Sequence, residues 1–436
     1  MHSRGYQLDS PQREVVITGL GVVSPIGIGR DDFWDSLAAQ RGGIGELTAF
    51  DNSNCPCKLA GEVDDFDPKQ YIRPRKSLKV MCRDIQLGFA AADMAVADSG
   101  LKESEVDPER VGVIFGADLM YCDVDEIVEP MRSCIVDGHF QFDRWGSQAL
   151  SEMYPLWLLK YLPNMPACHI GIAHDARGPN NSITLGDVSS LQAITEAVRV
   201  IQRNQAEVIV VGGTSSQIHP TCIDFRLRTR LTHQIPSPPS AACRPFDASR
   251  DGTVPGEGAA SFVLESRAHA ERRGARIVAR ILGYGSTFQP PATNGQPGSG
   301  AAIRAGIQIA LSAAGMQPKD VGHVNAHGIA TVEDDRREAQ VIRELLGDVP
   351  VTAPKSFFGD IGAGSGAVEA VVSLLAFERG EIPVTLNYQQ PDPNCPVNVV
   401  HGSPRPLGKP VALLLNQAPM GQAVAVVIAA EPSALA

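Results

Sequence analysis

No apolar run in this chain of 436 residues approaches the ~20 that a membrane-crossing helix needs, so no spanning helix is expected. Basic residues are in deficit. The 38 Lys and Arg stand against 49 Asp and Glu, leaving a formal charge of −11, which argues against nucleic acid as the main partner but not against a local basic patch. The nine cysteines are scattered and odd in number, and Cys55-Pro56-Cys57 has no second pair at zinc spacing. Reduced thiols in a cytoplasmic protein are the expectation, not a disulfide framework. The first apolar run, Val15–Val23, reads as a buried strand running into a Gly turn, and its glycines, Gly19 and Gly21, do not make GxGxxG, so no dinucleotide site is expected there. Residues 1–13 are polar and hold no signal-peptide h-region.

What is present is ordinary globular composition, 43% hydrophobic and 20% charged, in a length that suits one large body or two fused halves. Apolar runs at 15–23, 111–116, 207–213, 259–265, 277–285, 321–326, 350–353, 411–415 and 423–429 read as strands, most of them buried. Helices are expected from about Asp31 with Asp as cap, over 84–99 with Gly100 as the stop, and near 300–314, 333–346 and 366–379. Between 118 and 180 the pattern is weaker. Helices near 123–137 and 147–162 are expected, with Tyr154, Trp157, Leu158, Leu159, Tyr161 and Leu162 as an apolar cluster suited to another element or subunit, or to an ordinary core. Residues 232–258 and 286–299 are rich in Pro, Gly and Ser and read as loops. The alternation implies an α/β fold. The charged linker at 266–275, with His269, divides it into halves at 13–268 and 269–430.

The chain is organised around Gly178–Ser190, read as a strand, a sharp Gly turn and a helix starting at Asp187, with Leu191, Ile194, Ala197 and Val198 as its apolar stripe. A side chain at such a turn meets unpaired N–H groups and the positive end of the helix dipole, where nucleophiles are often placed. Here the presented residue is Asp. Strand, turn, Asp360 and helix in the second half echo this order, a weak internal duplication.

Three further motifs carry a resemblance: Val324-Asn325-Ala326-His327-Gly328 with Thr331, Asp335 and Glu338; Arg244-Pro245-Phe246-Asp247 with Arg250-Asp251-Gly252 and Gly256-Glu257-Gly258; and Lys355-Ser356 with Gly359 and Gly366-Ala367-Val368-Glu369. With the element order, they resemble the β-ketoacyl-acyl-carrier-protein synthases, condensing enzymes of the thiolase superfamily, from about Val15 to Ile428. The resemblance implies a thiolase-like α/β fold of two duplicated halves in a five-layered αβαβα arrangement, a two-fold dimer, and an acyl chain delivered on an acyl carrier protein. It implies no cofactor and no metal. Its chemistry uses a Cys thiolate on the turn, two His residues, a Lys, and a Gly-Phe-Gly-Gly stretch near the C-terminus.

This chain matches that set only in part. His327 and Lys355 are present. Asp187 stands at the nucleophile position and Asp360 at the second His, and Asn416–Gln422 carries Met420 at the Phe gate beside Gly421. A carboxylate is a far weaker nucleophile toward a thioester than a thiolate. Ionised at a helix N-terminus, Asp187 would repel a developing oxyanion. Asp187 is therefore either a catalytic carboxylate or simply an N-cap, and His327 either polarises a carbonyl or is a bonded core residue. Asp360 with Lys355 reads as a buried ion pair. Asp187, Asp360 and His327 are also a conceivable metal set, though none is expected. Met420, Gly421 and Asn416 are the substrate-binding expectation. Arg73, Arg75, Lys76 and Lys79, continuing to Arg83, read as a solvated face or as the docking face for an acidic carrier protein, and the alternating Arg226, Arg228 and Arg230 carry the same ambiguity. The resulting expectation is a non-condensing partner of a Cys-bearing ketosynthase that helps shape the acyl tunnel, as homodimer or heterodimer. The alternatives are an enzyme of altered chemistry on acyl or malonyl thioesters, or a synthase with Ser189 or Ser190 as displaced nucleophile.

Overall fold

The computed structural model describes residues 13–101, 106–290 and 298–432. Strand β1, Val15–Ser24, is buried along its whole length. It does not turn at its glycines, as the sequence suggested, but runs on through them. A Cβ on Gly19 would lie 2.3 Å from the Ala95 carbonyl oxygen, and one on Gly21 would lie 2.2 Å from that of Ala91. Those two glycines let helix α2 (Arg83–Ser99) lie directly on the strand. The first helix, α1 (Arg30–Ala38), starts one residue before Asp31. Gly29 is its N-cap, and Asp31 and Asp32 lie in its first turn, where they complement the dipole without capping it.

Apart from the two-residue strand Gly27–Ile28, which pairs with the end of β1, the remaining strands of the main sheet are β2 (Val111–Gly116), β3 (Asn180–Ile183), β4 (Val208–Ser216), β5 (Glu257–Ser266), β6 (Ala279–Phe288), β7 (His323–Asn325), β8 (Pro350–Thr352), β9 (Asn398–Val399), β10 (Val411–Gln417) and β11 (Gln422–Ala430). They lie in the order β9-β8-β7-β10-β11-β6-β1-β5-β4-β2-β3. Taking β1–β5 as one set and β6, β7, β8, β10 and β11 as another, both sets have the same spatial order, third-second-fourth-fifth-first. Both have parallel pairing among the second, third and fourth members and antiparallel pairing at the fifth. The sets meet where Val15–Ile17 pairs with Ala279–Ile281. The duplication extends to the glycines: Cβ atoms on Gly283 and Gly285 of β6 would strike the carbonyl oxygens of Ala310 and Gly306 in helix α6 (Ala301–Ala313).

Helices α5 (Ser189–Gln202) and α8 (Ser365–Arg379) pack against each other and against strands of both sets. Leu191, Ile194 and Val198 of α5 share one core with Val368, Val371 and Leu375 of α8 and with Ile209 and Val426 of the sheet. This accounts for the sequence of α8, buried on every side from Ser365 to Phe377. Helices α2 and α4 (Met165–Ala173) cover one outer face, and α6 with α7 (Val332–Leu346) covers the other, giving the thiolase-like αβαβα layering.

The region before β3 departs from expectation. Helix α3 (Val124–Ser133) forms, but the helix expected at 147–162 breaks into short turns around Pro155 and Pro163, since a proline cannot continue the backbone ladder. Of its apolar cluster, Tyr161 is buried while Tyr154 and Leu158 are 48% and 58% exposed. The helix that does form there, α4, has Pro166 in its first turn, where no N–H bond is lost. The linker at 266–275 is in part a short helix, Arg267–Arg272, capped by Ser266, with His269 buried on Glu265. Part of the expected loop at 286–299, and most of the polar stretch 1–13, lie outside the described residues.

Candidate active site

Two matching turns lead into α5 and α8. Gly186 and Gly362 both take positive φ, 61° and 59°, which glycine adopts without strain. The Ser189 hydroxyl accepts the Leu185 N–H at 2.8 Å, and the Ser365 hydroxyl accepts the Ile361 N–H at 3.1 Å. In this superposition the counterpart of Asp187 is Ala363, not Asp360, so the echo between the two aspartates is one of element order only. The N-cap reading of Asp187 also fails. Its side chain makes no cap bond, and no side chain caps the start of α5. Ser189 donates in turn to the Gly186 carbonyl at 2.6 Å, and the Ser190 hydroxyl accepts the Ala367 N–H at 3.0 Å. Both serines are fully buried and engaged in backbone bonds, which removes them as displaced nucleophiles.

Asp187 is buried against two cationic or basic side chains. Arg230 Nη1 lies 3.5 Å and His327 Nε2 lies 4.0 Å from its Oδ2, and Arg230 Nη2 reaches Asp334 at 4.0 Å. The dipole argument predicts a readily ionised carboxylate, but the structure reverses it. Burial and the neighbouring Asp360 push Asp187 up to about 7, against the opposing pull of Arg230. An acid raised in the folded state stabilises the protein fully below its unfolded value of 3.8 and loses that contribution as pH rises through about 7. Asp187→Asn is therefore expected to gain thermal stability relative to wild type progressively between about pH 4 and pH 7. Melting curves across that window check it, and a constant difference would contradict it.

His327 follows β7, and its loop is held by carboxylates from α7. Glu338 accepts the N–H groups of His327 and Gly328 at 2.8 and 2.9 Å, and Asp335 accepts those of Ile329, Ala330 and Phe246. Burial drives Glu338 up to about 8 and Asp335 up to about 7. The His327 value is driven well below the usual imidazole range by burial, then by Lys355 and Arg230, so the ring is neutral. Lys355 Nζ sits 3.2 Å from Nδ1 and donates to the His327 carbonyl at 2.9 Å. With Nδ1 facing a donor, the network assigns the ring proton to Nε2, on the side of Asp187.

The ion pair expected between Lys355 and Asp360 is not formed. Lys355 pairs with Glu369 of α8, which also accepts from Asn416 Nδ2 at 2.7 Å. Burial opposes the ammonium charge, but Glu369 and Asp360 outweigh it and raise the Lys355 value. Asp360 instead accepts from the Gly362 N–H at 3.1 Å and the Ser365 hydroxyl at 3.2 Å. Its Oδ2 is buried with no partner among the described residues. Among the described residues no group of three or more His, Cys, Asp or Glu is placed to hold a metal, so Asp187, His327 and Asp360 do not form such a set.

Two cavities meet at this centre. One of about 440 Å³ is lined by His327, Arg337 and Gln417, and one of about 390 Å³ by Asp187, Leu227 and Met420. Arg230, Ala418, Pro419 and Gln422 line both. Asn416 is buried in the Glu369 network and does not line either cavity. Met420 stands 66% exposed on the second. Gly421 has φ 100°, and a Cβ there would fall 1.8 Å from the Gln289 carbonyl oxygen, so this glycine sets the turn.

Arg73, Arg75, Lys76 and Lys79 are exposed on one turn away from these cavities. Arg83 separates from them and bonds Glu257 at 2.7 Å. The three alternating arginines also part. Arg228 pairs with Asp224, Arg226 pairs with Asp118 in the wall of the second cavity, and only Arg230 reaches Asp187 itself. Sequence reasoning missed Arg230 as a site residue, because alternation along a loop does not indicate which arginine points inward. Glu369 and Glu338 were quoted in motifs without a role. Their signal was an acidic residue on an otherwise apolar helix face in one case and beyond the His327 motif in the other.

The family model described as beta-ketoacyl synthase, N-terminal domain, matches residues 12–270, and that for the C-terminal domain matches residues 278–389. The chain is 32% identical to a 3-oxoacyl-[acyl-carrier-protein] synthase 2 of Synechocystis over 92% of its own length and 94% of the relative's. It is 33% identical to the oxytetracycline polyketide putative beta-ketoacyl synthase 1 of Streptomyces rimosus, over 89% and 90%. Among solved structures it superimposes on the ishigamide ketosynthase/chain length factor with a TM-score of 0.83 at 28% identity, covering 97% of this chain and all of that one. A beta-ketoacyl synthase from Burkholderia phymatum gives 0.85 at 27%, covering 96% and 100%. A type II polyketide synthase acyl-carrier protein in complex with its ketosynthase, bound to the hexaketide, gives 0.79 at 27%, covering 97% and 100%.

Proposed function

This chain belongs to the β-ketoacyl synthase family of fatty-acid and polyketide assembly, and from that premise we propose that it is a member without a condensing step, the partner subunit of a Cys-bearing ketosynthase. The observation that carries the reading is the turn before α5. The side chain facing His327 is a carboxyl, and both nearby serines are committed to backbone groups. A carboxyl at that position cannot take an acyl chain from a thioester downhill, because the mixed anhydride it would form lies above the thioester. What remains is a shaped, buried acyl site, which a partner's active centre can share. The second-His position supports the same reading. Asp360 turns one oxygen onto its own helix start and offers no N–H. Losing one oxyanion donor typically costs on the order of 10²–10³ in rate. The halves at 13–268 and 269–430 are part of this proposal.

Given acyl- and malonyl-carrier protein, the purified chain is expected to yield neither a β-ketoacyl product nor an acyl adduct by intact mass. Either one overturns the reading. Co-purification from the native source with a Cys-bearing homologue is the positive result, and recovery as a homodimer alone refutes the heterodimer.

Docking of an acyl carrier protein is assigned to the exposed turn of Arg73, Arg75, Lys76 and Lys79. Reversing two of these charges, Arg75→Glu with Lys76→Glu, is expected to weaken carrier binding about tenfold or more at low salt. The loss should shrink as salt screens it. An unchanged titration places docking elsewhere.

One observation favours a second reading, malonyl-thioester decarboxylation. His327 is neutral, its ring is held by Lys355, and it lines a cavity. Carbon dioxide release that disappears in His327→Ala would support that activity.

A further inference from the structure

The cavity beside Asp187 sets polar groups into a partly apolar wall. Alongside Leu185, Leu227 and Met420 it exposes Asp118, Arg226, Ser215 and Gln217. Arg226 Nη2 donates to Asp118 Oδ2 at 2.7 Å, and Tyr121 lies against the same guanidinium. A guanidinium carries five N–H donors in a fixed fork, and Asp118 and Tyr121 together do not use them all. Ser216, in this wall, also lines a cavity of about 610 Å³ whose walls include Asp84, Tyr121, Lys160 and His219. Leading away from Asp187, a space of mixed lining therefore adjoins a more polar one.

The chemistry of such walls discriminates. A saturated chain laid along them would displace water from Asp118, Arg226 and Gln217 and return no hydrogen bonds, which costs free energy for every polar group left dry. A chain with carbonyl or hydroxyl oxygens accepts from Arg226 and Gln217, and a hydroxyl can donate to Asp118. Sites built to bond an oxygen reject the analogue lacking it far more strongly than an apolar pocket rejects an added methylene.

We infer that the Asp118–Arg226 ion pair selects oxygen-bearing acyl chains, of the polyketo or hydroxylated kind, over saturated alkyl chains. The inference rests on reading this cavity as the acyl site of the family fold. It adds what the partner reading leaves open, namely the class of chain the site receives.

The test is calorimetric titration of the full chain with two non-hydrolysable pantetheine amides of equal length. One carries a saturated chain, and the other carries ether and isoxazole oxygens in place of keto groups. The oxygenated probe is expected to bind about tenfold tighter or better, a difference of about 1.4 kcal/mol or more. In Asp118→Leu with Arg226→Leu, where neither charge is stranded, the preference is expected to level or reverse. The milder pair Asp118→Asn with Arg226→Gln guards against misfolding and should reduce it. Equal or tighter binding of the saturated probe by wild type overturns the inference, as does an unchanged preference in both variants. Failure of both probes to bind overturns it together with the acyl-site reading. A measured preference for the saturated probe leaves the non-condensing reading standing, since product formation tests that separately.

Discussion

Asp187→Cys is expected to convert the isolated chain from one that carries no acyl group into one that does, visible as an intact-mass increase equal to the acyl chain after incubation with acyl-carrier protein. The turn is already built for a thiolate. The new sulfur would sit at the start of α5, within reach of the Arg230 guanidinium that now lies 3.5 Å from Asp187 and facing the Nε2 side of His327. Cations and helix N-termini are the surroundings that lower a thiol's pKa. The substitution also removes a carboxyl that burial and Asp360 hold at about 7, so no favourable charge is lost from the fold. Condensation should still fail in this variant, because Asp360 supplies no donor to the oxyanion. Adding Asp360→His is expected to restore product, by on the order of 10²–10³ over the single variant. If Asp187→Cys carries no adduct and its thiol is unreactive to alkylation, the site is not merely missing its nucleophile and the proposed origin of inactivity is wrong.

The second large effect is on stability. Lys355→Ala is expected to cost about 3–5 kcal/mol, the usual penalty for stranding one partner of a buried ion pair. Lys355 is fully buried, and its ammonium serves Glu369, the His327 carbonyl and the His327 ring together. Removing it leaves Glu369 with only Asn416 as its side-chain donor and frees the ring that faces Asp187. Replacing both partners, Lys355→Met with Glu369→Gln, should recover most of the loss, because no charge is then left unpaired. Urea unfolding of wild type and the two variants measures this. A loss below about 1 kcal/mol in Lys355→Ala would show that the pair is not what holds β7, α8 and β10 together at this point.

Much of the architecture was legible in the chain itself. Alternating apolar runs and helical stripes gave the α/β class and most strand positions to within a few residues, because burial imposes periodicities of two and of 3.6 directly on composition. The motifs around His327, Lys355 and Glu369 located the centre in one dimension, and the absence of sulfur at 187 was plain there too. The region from 118 to 180 was not legible. Its prolines and exposed apolar residues belong to short turns whose packing is not local, and α4 is too short an apolar run to tell from a strand. What only the tertiary structure decided was pairing and charge. It separated Gly19 and Gly21 from any turn and gave Lys355 to Glu369 in place of Asp360. It also drew Arg230, alone of three alternating arginines, into the centre. Most consequentially, it set the protonation of Asp187. Sequence places that residue at a helix start, where the dipole favours an anion, but desolvation and a second carboxyl brought close by the fold act over distances in space, and they outweigh the dipole.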